Sequence, residues 1–298
     1  MRLNRHDAAL VVVSLIWGGN FTVTKRALAF IAPVPFAALR FVLSSALLLA
    51  AVRLTGRTGD VPADTRRRLL LFGVLGHALN QIAFVGGLQY TTATNSALIF
   101  AAMPVVVALM GAALGHERPD RRTTLAIALA AAGVALVAGA RGVSFSSETL
   151  KGDLITMVAV LLWAAFTVGV RWAARGVGSL QVTMWTHLGA TPGLLLLAAP
   201  SAGTIAESVS HVEVWAALLY SAGASSLIAA VLWTRSLQAL GGNRTALYSG
   251  VTPIFAGAIA WAALGEKPVP LQGLGALLVI SAVLLSALPA LKKREEPA

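Results

Sequence analysis

The chain has 298 residues, of which 57% are hydrophobic and 12% are charged. The charged fraction is about half that of soluble domains, so an ordinary soluble fold is excluded. The formal net charge of +11 would suggest a nucleic-acid partner in a soluble protein. Here, however, Lys and Arg occupy short segments between apolar runs, where they orient membrane proteins, and we predict no nucleic-acid binding.

Apolar stretches of about 20 residues, the length that crosses a bilayer, follow one another along the whole chain. The ten predicted spans are residues 8–29, 34–54, 69–89, 93–115, 122–140, 153–173, 180–199, 213–236, 244–264 and 270–290. Arg2 and Arg5 precede the first span as in a signal peptide, but no small-residue cleavage pattern follows, so we interpret it as an uncleaved span. No loop is long enough for a soluble domain, and the function must therefore reside within the helices.

Lys and Arg are unevenly distributed between the two sides of this arrangement. If the N-terminus is cytoplasmic, 17 of the 23 lie on the cytoplasmic side, five lie outside and Arg40 lies within a span. Cytoplasmic loops are enriched in Lys and Arg, so both termini are predicted to be cytoplasmic. Lys25 and Arg26, at the outer end of the first span, run against this pattern.

The chain also contains an internal duplication. A series of residues in the first half recurs without a gap 149 residues later: Leu88, Gln89, Ala97, Leu98, Pro104, Ala113, Glu117 and Pro119 correspond to Leu237, Gln238, Ala246, Leu247, Pro253, Ala262, Glu266 and Pro268. Five spans per repeat is an odd number, so the second repeat must cross in the opposite direction. The predicted domains are therefore two inverted five-helix repeats, residues 1–148 and 149–298. Inverted repeats are typical of secondary transporters, whose substrate site lies between the repeats.

Several motifs accompany this duplication. Residues 15–20 read Leu-Ile-Trp-Gly-Gly-Asn, the second span contains Arg40 and Phe41, and spans 4 and 9 end in related sequences: Pro104, Leu114, Gly115, Glu117 and Pro253, Leu264, Gly265, Glu266. Over residues 8–290 the pattern resembles the drug/metabolite transporter superfamily, and within it the ten-helix EamA-type exporters. The resemblance implies export of small metabolites, often amino acids, through a cavity surrounded by helices 1, 3, 4, 6, 8 and 9.

Prolines near the middle of spans 4 and 9 are candidate hinges. Pro104 and Pro253 each remove one backbone hydrogen bond, which is tolerated in a membrane where neighbours or a cavity satisfy the freed carbonyl. A simple packing kink is the alternative at either position. Because the two prolines occupy matching positions, we favour helix hinges beside the substrate site. Tyr248, one turn before Pro253, is a further candidate for the cavity.

Span 3 carries a polar stripe. Four residues at helical spacing share one face: His77, Asn80, Gln81 and Phe84. Polar groups facing lipid are costly, so this face should point into the bundle, where the residues either line the cavity or form interhelical hydrogen bonds. Span 8 in the same register places Ser226 opposite His77, with Ser225 beside it.

Aromatic residues form the other candidate group. Trp17, Asn20 and Phe21 share a face of span 1, and Trp163 and Phe166 share a face of span 6. These tryptophans lie about ten residues into their spans, deeper than the interfacial belts in which membrane Trp usually occurs. We therefore expect Trp17 and Trp163 to form two walls of one apolar pocket.

Acidic residues are absent from the middle of every predicted span. Selection of cations by charge is therefore disfavoured, although Trp17 and Trp163 could hold a cation weakly. If transport is coupled to protons, His77 or His187 is the available titrating group. We interpret Arg40 and His187 as mainly structural, with Arg40 close enough to the outer end of its helix to snorkel.

The sequence therefore predicts an all-α membrane protein of the bacterial plasma (inner) membrane with ten transmembrane helices. The predicted function is export of neutral amino acids, including aromatic ones, or similar metabolites; export of hydrophobic or cationic drugs is the alternative. Surrounding lipid and the substrate are the expected partners, and a monomer suffices. Neither a phosphate loop nor a paired catalytic or metal cluster is visible, so we predict no enzyme activity, cofactor or metal. A membrane-embedded enzyme that acts on lipids and a sensor subunit are the remaining, less favoured hypotheses.

Overall fold

The computed structural model describes residues 4–57, 59–91, 93–100, 102–115, 119–139, 147–264 and 270–287. All regular secondary structure within these ranges is helical. Some positions named above lie outside the described residues, namely Arg2, Glu117, Gly265, Glu266, Pro268 and residues 288–298. Three residues that enter the count of Lys and Arg also lie outside them: Arg118, Arg141 and Lys267.

The α-helices in chain order are α1 (Arg5–Ala27), α2 (Pro33–Leu54), α3 (Ala63–Gly73), α4 (Asn80–Tyr90), α5 (Ala93–Phe100), α6 (Met103–Ala113), α7 (Arg121–Gly139), α8 (Ser147–Ala173), α9 (Ser179–Ala198), α10 (Ala202–Ser208), α11 (Val212–Leu219), α12 (Ala230–Leu240), α13 (Gly242–Leu247), α14 (Thr252–Leu264) and α15 (Pro270–Ala287). Two π-helical segments, Val74–Leu79 and Tyr220–Ala229, join α3 to α4 and α11 to α12. Two 3₁₀ segments, Ala199–Ser201 and Tyr248–Val251, precede α10 and α14.

Within the described residues, seven helical stretches are long and apolar enough to cross a membrane: Arg5–Ala27, Pro33–Leu54, Ala63–Tyr90, Leu150–Ala173, Ser179–Ser208, Val212–Leu240 and Gly242–Ala263. Met103–Ala113 and Gly273–Leu285 are shorter apolar helices. The described part of the chain is therefore all-helical, and it contains several candidate membrane spans. The count of ten spans, the inversion of the repeats and the side of the termini stay predictions.

Polar side chains define several helix ends. Asn4 and Asp7 form a capping box at the start of α1, in which the Asn4 side chain accepts from the Asp7 backbone and the Asp7 carboxylate accepts from the Asn4 backbone. Asp120 caps α7 by accepting from the Thr123 backbone N–H at 2.7 Å, and hydrogen bonding by Thr123 holds the pKa of the Asp120 carboxyl below its ordinary value. These caps satisfy backbone donors that the first turn of a helix leaves free.

The most extensive helix pairings join the first half of the chain to the second: α7 with α15, α4 with α8, α2 with α9 and α1 with α14. Small residues allow close approach at these contacts. A Cβ added at Gly133 in α7, for example, would lie 2.6 Å from the carbonyl oxygen of Gly275 in α15. The two halves are thus packed into one bundle.

The irregular segments fall at matching positions of the two halves. Moved by 149 residues, Val74–Leu79 becomes residues 223–228, which lie within the second π segment, Tyr220–Ala229. The turn at Ala102, before α6, corresponds in the same way to Val251, the last residue of the 3₁₀ segment before α14. Such π segments often occur at functional sites.

The two prolines lie near the starts of α-helices. Pro104 is the second residue of α6, and in the first turn of a helix the backbone N–H is unpaired in any case, so this proline removes no hydrogen bond. Pro253 is the second residue of α14, which continues directly from the 3₁₀ segment Tyr248–Val251, so this proline lies at a change of helix type within one helical stretch. Their role as hinges stays a prediction.

Candidate functional site

A cavity of about 100 Å³ lies between the two halves of the chain. Its lining includes ten of the residues that the sequence singled out: Trp17, Asn20, Phe21, His77, Asn80, Gln81, Phe84, Trp163, Ser225 and Ser226. The two remaining candidates, Phe166 and Tyr248, are buried but do not line it. The first residues of two half-helices, Met103 of α6 and Thr252 of α14, also face this cavity.

Three tryptophans cluster at one end of the cavity, and two of them, Trp17 and Trp163, line it. The ring centroids of Trp17 and Trp163 are 5.8 Å apart in an edge-to-face arrangement, and Trp233 lies 5.0 Å from Trp17 and 6.4 Å from Trp163. Trp17 and Trp163 therefore contact each other and both line the cavity. Their role as two walls of an apolar substrate pocket stays a prediction. Trp233 is buried behind them and is absent from the cavity lining.

A second aromatic cluster consists of Phe21, Phe84 and Phe100. Their ring centroids are 5.3 to 5.9 Å apart, and all three pairs are edge-to-face. Phe21 lies one turn beyond Trp17 along α1, so the two clusters succeed each other along the helix axis. Together they offer an apolar surface to a flat or aliphatic group.

His77 and His187 form a pair of imidazoles beside the tryptophans. Their ring centroids are 4.5 Å apart. The ring centroid of Phe166 lies 4.6 Å from that of His77, so Phe166 packs against the His77 imidazole. The His187 Nδ1–H donates to the Thr183 carbonyl at 2.8 Å, and His77 Nε2 lies 3.2 Å from the Thr186 hydroxyl. His187 also lines the cavity. Its interpretation from the sequence as a mainly structural residue did not anticipate this position.

Arg40 supplies the positive charge of the cavity. Its side chain is 7% exposed, so the expectation that it snorkels to the membrane surface is wrong. The guanidinium donates to Ser225 and Ser226 Oγ at 3.3 Å and to Gln81 Oε1 at 3.2 Å. The wide turn of the π segment presents the two neighbouring serines to one guanidinium. An ionisable residue within a span is in itself a functional signal, and that signal could have identified Arg40.

Other polar groups at the cavity are engaged in contacts between helices. Asn80 Nδ2 donates to the Ala159 carbonyl at 2.7 Å, and Asn20 Oδ1 accepts from the Ser221 hydroxyl at 2.7 Å. In contrast, Gln81 Nε2 is buried with no hydrogen-bond partner among the described residues. The polar face thus contains both structural hydrogen bonds and an available donor.

Tyr248 takes part in a separate cluster at the beginning of α1. Its hydroxyl donates to Asp7 Oδ1 at 2.8 Å, and Arg244 Nη2 donates to both Asp7 oxygens at 2.8 Å. The cluster connects α1 in the first half with α13 in the second. Its geometry assigns Tyr248 a contact outside the cavity.

The charge and composition of the cavity limit its chemistry. No Asp or Glu occurs among the described residues that line it, and these described residues also contain no group of three His, Cys, Asp or Glu that could hold a metal. The arrangement suits a small molecule that has an apolar portion for the aromatic clusters and an acceptor group for Arg40 and Gln81.

Comparison with known proteins gives long matches. The model of the EamA-like transporter family matches residues 5–139 and 150–288. An uncharacterized transporter of Archaeoglobus fulgidus is 30% identical over 285 residues, 93% of this chain and 95% of the relative. The uncharacterized transporter YyaM of Bacillus subtilis is 27% identical over 288 residues, 93% of this chain and 92% of the relative.

A probable amino-acid metabolite efflux pump of Salmonella typhimurium is 26% identical over 294 residues, which is 95% of each chain. One solved crystal structure of a protein is 17% identical, has a TM-score of 0.72 and covers 95% of this chain and 97% of that chain. At this identity the structural likeness shows the fold alone.

Proposed function

This chain belongs to the EamA-like transporter family, and we propose that it exports small metabolites, in particular neutral amino acids including aromatic ones, by alternating access around the cavity. It is an integral membrane protein of the plasma membrane, as its transporter homologues and apolar helices indicate. The similarity to a probable amino-acid metabolite efflux pump supports the substrate class.

The observation that carries this proposal is the cavity between the two halves. Aromatic rings of Trp17, Trp163 and Phe84 adjoin a polar face with Arg40 and Gln81. Amphiphilic metabolites such as amino acids combine an apolar side chain with charged groups, and both parts find complementary surfaces here. Ligand sites are commonly mostly apolar with a few convergent polar groups.

Alternating access is supported by the matched irregularities of the two halves. The two π segments and the starts of α6 and α14 contribute residues to the cavity lining from both halves. The volume of about 100 Å³ is smaller than the roughly 300–1,000 Å³ of typical ligand sites. Movement of the half-helices that begin at Met103 and Thr252 would widen the cavity for substrate, as in transporters with broken helices.

Export of hydrophobic or cationic drugs is the second candidate. The tryptophan cluster around Trp17 and Trp163 would suit a flat hydrophobic drug and would attract a cation by its π face. The positive charge of Arg40 and the lack of an acidic side chain in the described lining oppose a cation. Amino acids therefore remain the preferred substrates.

Efflux from proteoliposomes tests the proposal. Vesicles containing the purified protein are loaded with radiolabelled neutral amino acids, an aliphatic organic cation and an aromatic one, with and without a pH gradient. Saturable amino-acid efflux, absent from protein-free vesicles, is the expected result. Efflux of the cations alone would favour the drug exporter, whereas no protein-dependent flux of any compound would contradict both transport functions.

A further inference from the structure

Arg40 is a buried cation whose partners are all neutral. The described residues offer it the Ser225 and Ser226 hydroxyls and the Gln81 amide oxygen. Every one of these donor–acceptor distances is 3.2 or 3.3 Å, whereas charge-assisted bonds from Arg to carboxylate are typically about 2.7–2.9 Å. The protein thus holds the guanidinium in place but leaves its charge uncompensated, which is costly away from water.

A second group at the same cavity points to the same kind of ligand. Gln81 Nε2 is buried without a hydrogen-bond partner in the described part of the chain, although its Oε1 accepts from Arg40. Gln81 is 5% exposed and lines the cavity, so this amide N–H is available to an acceptor that enters it. Buried polar groups without partners are uncommon in folded proteins and call for an explanation.

The beginning of α14 adds to this preference. Its first residue, Thr252, lines the cavity, and the Thr252 hydroxyl is buried with no partner among the described residues. The backbone N–H of Thr252 donates to the Ser249 carbonyl, so the hydroxyl is the donor that this residue can offer to a ligand. The cavity therefore combines a cation, a free amide donor and an unpaired hydroxyl, and its described lining contains no acidic side chain.

We propose that Arg40 binds a carboxylate of the exported molecule, with Gln81 as a second donor and Ser225 and Ser226 positioning the guanidinium. The inference rests on the proposed export function and narrows its substrate to small molecules with a free carboxylate. An α-amino group is not required by this contact, so deaminated acids of the same size belong to the class. A planar guanidinium matches the two oxygens of a carboxylate, which a Lys ammonium cannot do.

Four related compounds isolate the contribution of the carboxylate. Phenylalanine and 3-phenylpropionate have it, whereas phenylalaninamide and phenethylamine lack it, and all four share the aromatic ring. Binding to the purified full chain in detergent is measured by calorimetry for the wild type, Arg40→Gln, Arg40→Lys and Arg53→Gln. Arg53 is the matched control because it lies on the same helix, is exposed and undergoes the same loss of charge.

The wild type should bind both acids at least tenfold more tightly than the amide and the amine. Arg40→Gln should weaken binding of the acids about ten- to a hundredfold, as expected for a hydrogen-bonded charge, and should abolish the preference. Arg40→Lys should retain part of it, and Arg53→Gln should equal the wild type. Three results would each overturn the proposal. They are equal affinity of the wild type for acid and amide, no binding of either acid, and an unchanged preference for the acids in folded Arg40→Gln. If Arg40→Gln does not fold, the wild-type series and Arg40→Lys decide.

Efflux of the same four compounds separates this inference from the proposed function. Equal efflux of acids and amide would preserve export and overturn carboxylate recognition. Selective binding of the acids without efflux would preserve carboxylate recognition and overturn export. Selective binding and selective efflux together would support both.

Discussion

Replacing Tyr248 by Phe distinguishes a cavity role from a structural role. The Tyr248 side chain is 1% exposed, and its hydroxyl donates to Asp7 Oδ1 at 2.8 Å. A hydrogen bond to a charged group contributes about 1.5–3 kcal/mol. Because Arg244 still donates to both Asp7 oxygens, the carboxylate is not left unpaired, and the lower value applies. We expect the free energy of unfolding to fall by about 1.5 kcal/mol, roughly tenfold in the folding equilibrium, with substrate affinity unchanged.

The other two tyrosines provide a graded comparison. The Tyr220 hydroxyl donates to the neutral Ile16 carbonyl at 2.8 Å, so Tyr220→Phe should lower the free energy of unfolding by about 1 kcal/mol. Tyr90 is 40% exposed, and Tyr90→Phe should have almost no effect. Denaturant unfolding in mixed micelles, followed by circular dichroism, gives the stabilities, and calorimetry gives substrate affinity. If Tyr248→Phe unfolds like the wild type and binds substrate more weakly, the assignment of its hydroxyl to Asp7 is refuted.

Three further substitutions test the cavity, the helix interruptions and the close packing. Trp163→Ala should weaken substrate binding about tenfold through lost aromatic contact and abolish efflux while the protein stays folded. Trp261→Ala removes a side chain that is 53% exposed and should leave binding and efflux unchanged. Normal efflux by folded Trp163→Ala would contradict the cavity assignment. Pro253→Ala should slow turnover at unchanged affinity, and altered affinity at equal turnover would oppose a hinge. Gly133→Ala should destabilise by about 1–3 kcal/mol through overpacking, measured beside Gly86→Ala, which meets no atom within 4 Å; equal stability of the two variants would refute the close contact.

Helical periodicity predicts which residues share one face of the third predicted span. His77, Asn80, Gln81 and Phe84 were grouped by spacing alone, and the structure brings all four to the same cavity, even though His77 lies in a π segment. Periodicity works here because neighbouring turns of one helix present a common face. Periodicity depends only on the local sequence, so the sequence of one helix suffices to predict which of its residues share a face.

Contacts between distant parts of the chain could not be predicted in the same way. Arg40 bonds to serines 185 and 186 residues away, and Tyr248 bonds to Asp7 across 241 residues. Hydropathy reports that a segment is apolar but not which neighbour its one charged residue meets. Similarly, a proline fits both a kink and the first turn of a helix, and only the backbone shows that Pro104 lies in the first turn of α6.

Comparison of Arg40 with other basic side chains sharpens the argument for an anionic substrate group. Lys25 donates to the Leu88 carbonyl at the end of α4, and Arg122 donates to the Leu285 carbonyl near the end of α15, where helix dipoles concentrate negative charge. Arg244 donates to a carboxylate. Arg40 alone among these four meets only hydroxyls and an amide. The three cations outside the cavity thus meet a carboxylate or carbonyls near helix C-terminal ends. Arg40 has neither kind of partner among the described residues, which is the arrangement that the proposed carboxylate ligand requires.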